Sequence, residues 1–427
     1  MRDGLKFASG NVLARTWAVP QLEQIRTTDS ETNSEAGGGP RGLPVSPAVA
    51  KAALYLGALG IAAFALWVRL SWAGSNLQFD TIHFVRFSGV LFGRGHLDYY
   101  VWNQGAPDLY RHLPGFPYLL YPFLRIVRAL HSPDIYAIKF LIYAADFGSA
   151  AVLYMLGRRK GLWPAGGLAV AAMWLFAAWV FQAGSIEGHP NSVAAFFMLA
   201  ALLYADSGWK AGLLWALAVT TRTEFIFPAA AATLYYAVWR RGEFWKFALS
   251  GGALVAAIVT PFAIRDLDAF LWGAYRHTQG RGDGLPFVRA LFALLGQPLP
   301  SPLRGPPDWS LRVWVPVAIA VSALDRDLRR AVLKVGLVYA LALPVVHERY
   351  LLMPLAAAMA FCGAPRLIWV LVAWFAIDVQ GAIVSQEMVW VLRLLLTAAA
   401  FAAQPIAALM RGCSSRDRAS ELTGMRP

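Results

Sequence analysis

In "LPVVHERYLLMPL" (343–355) two apolar runs meet at His347, Glu348, Arg349 and Tyr350. An arginine presents a planar fork of donors that matches phosphate oxygens, and a histidine adds another donor, so this cluster has the chemistry to hold an anion. Similar polar knots interrupt the apolar sequence elsewhere. "GSIEGHPNS" (184–192) packs Glu187, His189 and Asn191 into a short turn, and "TTRTEF" (220–225) sets Arg222 beside Glu224. Asp80 follows the first apolar run closely, in "SNLQFDTIHFVRFSG" (75–89). A carboxylate there is suited to take the proton of an attacking hydroxyl, provided it is ionised and within reach. Each site also has a plainer reading. Asp80 is a good helix N-cap, Arg222 and Glu224 can simply pair with each other, and Arg349 can snorkel while Tyr350 anchors an interfacial turn. Asp98 and Asp108 read as solvated loop residues. Asp146 lies inside an apolar run and needs a partner. Lys139, seven residues earlier on the same helical face, is the expected one.

The elements that carry these residues are apolar helices. The chain has 427 residues, of which 58% are hydrophobic and 15% charged, against roughly 25% charged in a soluble domain. Mean hydropathy is +0.49. Apolar runs recur from 49 to 410, and about 20 such residues cross a bilayer core of roughly 30 Å. The fold class expected is all-α: a polytopic transmembrane helical bundle of about 11–13 spans. About twelve are placed, at 49–72, 135–157, 162–183, 190–206, 210–222, 224–240, 245–264, 309–324, 331–346, 350–364, 366–385 and 388–410. The net charge of +13 does not point to nucleic acid, because membrane proteins gather Arg and Lys in cytoplasmic loops. The two cysteines, Cys362 and Cys413, suggest no disulfide.

Charge also sets the orientation. "GRRKG" (157–161), "WRRGE" (239–243), "DRDLRR" (325–330) and "RGCSSRDR" (411–418) are all cytoplasmic if spans are counted back from the last of them. The same count places long outer loops at 73–134 and 265–308, and puts Asp80, Glu187, His189, Arg222 and the 347–350 cluster on the outer face. Basic charge on that face is carried almost entirely by Arg. Within the first loop, "DTIHFVRFSGVLF" (80–92) fits a short amphipathic helix on the membrane surface. "LPGFPYLLYPFLRIVRAL" (113–130) holds three prolines and two arginines, and is expected to be interfacial or re-entrant. Residues 1–47 are polar and Gly-rich, a disordered cytoplasmic tail by composition. A transmembrane domain over 48–410 and a cytoplasmic tail over 411–427 complete the organisation, which is that of a multi-pass cell-membrane protein. No Walker A, GxGxxG or zinc spacing occurs, and "DFG" (146–148) and "RGD" (281–283) are chance matches.

Several polar knots on one face of a membrane domain suit a substrate with a lipid tail and a phosphate head. At this point the chain resembles the GT-C superfamily of polytopic glycosyltransferases, over most of 49–410. The features that carry the resemblance are Asp80 early in a long first outer loop, "PGFPYLLYP" (114–122) later in it, the "RTE" turn (222–224), and "HERYLLMP" (347–354). The last is the most specific and is similar to motifs in prokaryotic homologues of GPI-anchor mannosyltransferases. The resemblance implies a hexosyltransferase that moves a sugar, mannose first, from a polyprenyl- or dolichyl-phosphate donor. The acceptor would be a lipid-linked glycan, glycolipid or protein. It implies Asp80 as catalytic base, with His347, Glu348, Arg349, Arg222, Glu187 and His189 around the donor's lipid phosphate. The displacement is inverting, and Arg and His stabilise the departing phosphate. No cofactor is implied; a divalent metal is compatible with this chemistry but not required by it, because side chains can neutralise a monophosphate. Membrane lipids, the donor and the acceptor are the expected partners. The second outer turn departs from the family pattern, reading "EGHPNS" where an acidic pair is usual, and neither a sequon-reading motif nor a large soluble C-terminal domain is present. The competing class is a transporter or flippase of lipid-linked sugars, although no internal repeat is visible.

Overall fold

The computed structural model describes residues 46–74, 79–93, 97–102, 112–274, 292–293, 295–298, 309–342, 348–361 and 391–400. The chain divides into two compact units, Met1–Ala50 and Lys51–Pro427. Of the first, only 46–50 is described. The described residues are helices and turns, with no strand among them. Helix α1 runs over Pro47–Ser71, α2 over Phe79–Gly93, α3 over Tyr99–Trp102, α4 over Gly115–Ala129 and α5 over Ile135–Arg159.

Helix α1 is apolar all round, and past residue 50 only Ala65 and Arg69 are buried. Its exposed Leu56, Leu59, Phe64 and Trp67 are what a lipid-facing helix presents. Helix α5 is mostly buried and packs on both α4 and α6 (Pro164–Leu175). Its C-terminal carbonyl end carries Arg158 and Arg159, which suits the helix dipole. Arg159 also donates to the carbonyl of Leu203 at 2.7 Å. Pro164 opens α6 at a position where a missing N–H costs nothing.

Past α6 the chain bends by 48° into α7 (Ala178–Val180), which continues as a π-helical turn over Phe181–Ile186. Next come α8 (Asn191–Leu203), α9 (Gly208–Thr221), a 3-10 turn at Thr223–Phe225, and α10 (Ile226–Trp239). Helix α11 (Arg241–Arg265) packs closely along α9, and α12 (Leu267–Ala274) follows it. The later part of the chain has α13 (Trp309–Ser322), α14 (Leu328–Ala342), a 3-10 turn at Glu348–Leu351, α15 (Leu352–Ala360) and α16 (Val391–Ala400).

Among the described residues three helices are long and apolar enough to cross a membrane: α1, α5 and α11, of 25 residues each. The bent pair formed by α6 and Ala178–Ile186 makes a fourth if it is one span. At 1.5 Å per residue the three long helices reach about 37 Å. The apolar runs expected as spans at 190–206, 210–222, 224–240, 309–324 and 331–346 become helices of 13 to 15 residues. Such helices extend only about 20–22 Å. The expected span 366–385, the tail 411–427 and most of the loop 265–308 lie outside the described residues.

The stretch 113–130, expected to be interfacial or re-entrant, contains helix α4. The helix has 15 residues, too short for a crossing of roughly 30 Å. Phe116, Leu120, Leu124 and Val127 bury one face, while Ile126 is exposed on the other. The buried stripe packs on α2 and α5, as an amphipathic helix should. Helix α2 does likewise with Phe84, Phe87 and Leu91. Together they form an aromatic core with Tyr100, Phe262 and Phe270.

Candidate functional site

Arg222 is the C-cap of α9, with extended backbone, and its side chain is 1% exposed. Its Nε donates to Glu224 Oε1 at 3.0 Å. Asn191, the first residue of α8, donates to the same Glu224 oxygen at 2.7 Å. Arg222 Nη1 lies 2.8 Å from His112 Nε2. A guanidinium only donates, so that ring nitrogen accepts. The Tyr350 ring stands 5.9 Å from Arg222 Cζ, a cation–π distance. Arg222 Nη2 is buried and has no hydrogen-bond partner among the described residues.

Local chain geometry explains why His112 reaches Arg222. The first turn of α4 sits directly on the last turn of α9. A Cβ at Gly115 would lie 2.5 Å from Thr220 Oγ1, so only glycine permits this approach. Thr220 returns its hydroxyl to the Ala216 carbonyl at 2.8 Å. The His112 ring stacks on Phe84 of α2, with centroids 5.7 Å apart and 13° between planes. Tyr100 donates its hydroxyl to the His112 carbonyl. The segment that leads into α4 is thus clamped onto the "RTE" turn by an aromatic stack and a charged hydrogen bond.

The second polar knot lies just before Asn191. Lys139 Nζ donates to the carbonyls of Ser185 and Ile186, at 2.5 and 2.7 Å. These are end carbonyls of the π-helical turn, which otherwise lack helical partners. Gly188 then adopts a left-handed φ of 74°, open to glycine at no steric cost. The reversal brings Glu187 within 3.6 Å of His189. Gln182 donates to Glu187 at 3.0 Å. Both Glu187 and His189 are buried.

Of the residues singled out in the sequence, Arg222 is tied through Glu224 to Asn191, which follows Glu187 and His189 in the chain. The backbone of Glu348–Leu351 packs against both α7 and the π-helical turn, and its Tyr350 reaches Arg222. Glu348 and Arg349 therefore belong to the same locality by backbone position. Asp80 is the second residue of α2, inside its first turn, and lies one helical turn before Phe84, the ring that stacks on His112. His347 and the side chains of Asp80, Glu348 and Arg349 lie outside the described residues. Among the described residues no group of three or more His, Cys, Asp or Glu is placed to hold a metal ion.

One expected pairing is corrected. Asp146 is held by Arg69 of α1, with Nε and Nη2 both donating to Oδ2 at 3.3 and 3.2 Å. Lys139 turns to the carbonyls of 185 and 186. Two helical turns separate Lys139 from Asp146, about 10 Å of rise, whereas Arg69 arrives from a neighbouring helix at the right height. His112 was not singled out in the sequence. Asn191 was visible in "EGHPNS" only as part of a polar turn, and His112 sits in "YRHLPGFP" with no spacing that marks it. No family model matches the chain, and no curated protein matches it.

Proposed function

We propose that this protein is a multi-pass membrane glycosyltransferase. It moves a hexose, mannose first, from a polyprenyl-phosphate donor to a glycan, glycolipid or protein acceptor on the extracytoplasmic face. The observation that carries this reading is the buried, unpartnered Arg222 Nη2 beside the turn that bears Arg349. A buried guanidinium donor left unmatched is costly, and a lipid phosphate would match it. Asp80 is the proposed base. It takes the proton of the acceptor hydroxyl, whose oxygen forms the new bond to the anomeric carbon as the lipid phosphate leaves with the electron pair. Arg222, Arg349 and His347 then stabilise the leaving phosphate. Glu187 and His189 form the adjoining wall. Both termini are cytoplasmic in this reading, and neither nucleic acid nor a cofactor takes part.

A second reading has one observation in its favour. The 48° break between α6 and Ala178–Ile186 is a discontinuous helix of the kind transporters use at substrate sites. One assay separates the two. Protein purified in detergent is incubated with polyprenyl-phosphate mannose or glucose and candidate acceptors. An enzyme releases free polyprenyl phosphate, whereas a flippase needs two compartments and releases none. Asp80→Asn should abolish release with folding intact. Full activity of that variant removes Asp80 from the mechanism.

A further inference from the structure

The groups left open around Arg222 are not all donors. Glu224 Oε1 accepts from both Arg222 Nε and Asn191 Nδ2, and among the described residues no hydrogen bond reaches the second oxygen, Oε2. A carboxylate only accepts, so the Asn191 amide must turn its nitrogen to Glu224 and its oxygen away. That oxygen, Oδ1, is buried and has no hydrogen-bond partner among the described residues. Tyr339 of α14 adds a phenol within electrostatic reach of Arg222, Glu224 and Tyr350. Its ring packs on Phe227 of α10, with centroids 5.3 Å apart, which holds the phenol in place. The locality opens at Glu224, which is 8% exposed, and at the half-buried Tyr350.

An ionised phosphate offers only acceptors. It matches Arg222 Nη2 but repels Asn191 Oδ1 and Glu224 Oε2, and a buried acceptor left unmatched is costly. A neutral hydroxyl both donates and accepts, so hydroxyls can serve all of these groups. Charge points the same way. Arg222 and Glu224 form an ion pair at 3.0 Å and offset each other, so the pair offers hydrogen bonds without net charge.

We propose that Glu224, Asn191 and Tyr339 hold the hydroxyls of the hexose on the donor lipid, beside the phosphate that meets Arg222. The assignment rests on the sugar-transfer reading and extends it from the phosphate to the sugar. Glu224 Oε2 and Asn191 Oδ1 accept from sugar hydroxyls, and the Tyr339 hydroxyl donates to a sugar oxygen. In a sugar phosphate the ring begins one bond beyond a phosphate oxygen, so the two halves of the donor fall on adjacent groups. These residues bind and select the sugar; the proton of the acceptor hydroxyl still goes to Asp80.

The test uses the full-length protein in detergent and measures the binding of two lipids by microscale thermophoresis. Polyprenyl-phosphate mannose carries the sugar; polyprenyl methyl phosphate carries the same single charge and no hydroxyl. The wild-type chain should bind the mannosyl lipid about tenfold more tightly, the worth of roughly one hydrogen bond to a charged group. Glu224→Gln keeps an oxygen for Arg222 and Asn191 but turns the second position from acceptor to donor. It should abolish the preference, while binding of the methyl phosphate holds or rises because a negative charge beside Arg222 is gone. Tyr339→Phe removes only the hydroxyl, and should lower the preference about threefold with the melting temperature unchanged. Equal affinity of the wild-type chain for the two lipids would overturn the proposal and leave the phosphate role of Arg222 standing. A preference kept by both variants would overturn it too, as would an equal loss of both lipids in the variants, which marks the residues as structural. Binding of neither lipid would overturn the proposal together with the transfer reading.

Discussion

Two buried arginines sit in this domain under similar burial and are treated differently. Arg69 spends every nitrogen of its guanidinium: Nε and Nη2 on Asp146, Nη2 also on the Leu175 carbonyl at 3.0 Å, and Nη1 on the Ala65 carbonyl at 3.4 Å. Tyr143 returns a hydrogen bond to the Arg69 carbonyl at 2.8 Å. Arg222 spends Nε on Glu224 and Nη1 on His112, and holds Nη2 back. The first arrangement ties α1 to α5 and α6 and leaves no nitrogen of the guanidinium without a partner. The second is held on two sides and keeps Nη2 without a hydrogen-bond partner among the described residues. A saturated guanidinium is a structural tie, and a guanidinium fixed but incomplete is suited to receive an anion.

The comparison breaks most visibly through stability. Arg69→Met leaves Asp146 buried without its cation, which should cost about 3–5 kcal/mol. Replacing both partners, Arg69→Met with Asp146→Leu, should recover most of that loss. Thermal or denaturant midpoints in detergent measure both, and equal midpoints for the single and double variants would show that the pair is not the tie described. At Arg222 the expected loss is in activity. Arg222→Lys keeps the charge beside Glu224 but loses the fork, so sugar transfer should fall about 10²-fold, the scale of removing one donor to a developing anion. The midpoint should stay near that of wild type. Undiminished transfer by Arg222→Lys would take the phosphate role away from this residue.

The contrast also marks what the sequence could disclose. Arg222, Glu187, His189 and the 347–350 turn stood out because charge is scarce in apolar sequence, and a charge there needs a reason. Each sits at the end of an apolar run, and the structure joins Arg222 to Asn191 through Glu224. Arg69 as the partner of Asp146 was not readable, because the contact joins helices 77 positions apart and Lys139 offered a nearer candidate on the same face. Helix lengths were legible only in part. The apolar runs expected at 210–222 and 224–240 do part at Arg222, where an extended residue and a 3-10 turn divide α9 from α10, but each helix is shorter than a membrane crossing. The close approach of α4 to α9 has no sequence signal beyond a glycine next to a proline. Gly115→Ala places a methyl 2.5 Å from Thr220 Oγ1 and should cost about 1–3 kcal/mol by overpacking. Because the same contact carries His112, transfer should fall with it. A shift in stability alone would separate the packing of α4 from the geometry at Arg222.

His112 gives the smallest effect and the sharpest question about Arg222. Its Nε2 accepts from Arg222 Nη1, which requires the neutral ring with its proton on Nδ1. The bond turns the guanidinium plane and so fixes where Nη2 points. His112→Ala removes the acceptor and the stack on Phe84, and leaves Nη1 to compete for the phosphate. Transfer should drop about tenfold, the worth of roughly one hydrogen bond to a charged group. His112→Gln returns an acceptor oxygen without the stack, and should recover most of the loss if orientation is what the histidine supplies. If alanine and glutamine are equally impaired, the stack on Phe84 matters more than the hydrogen bond, and Arg222 is aimed by Glu224 alone.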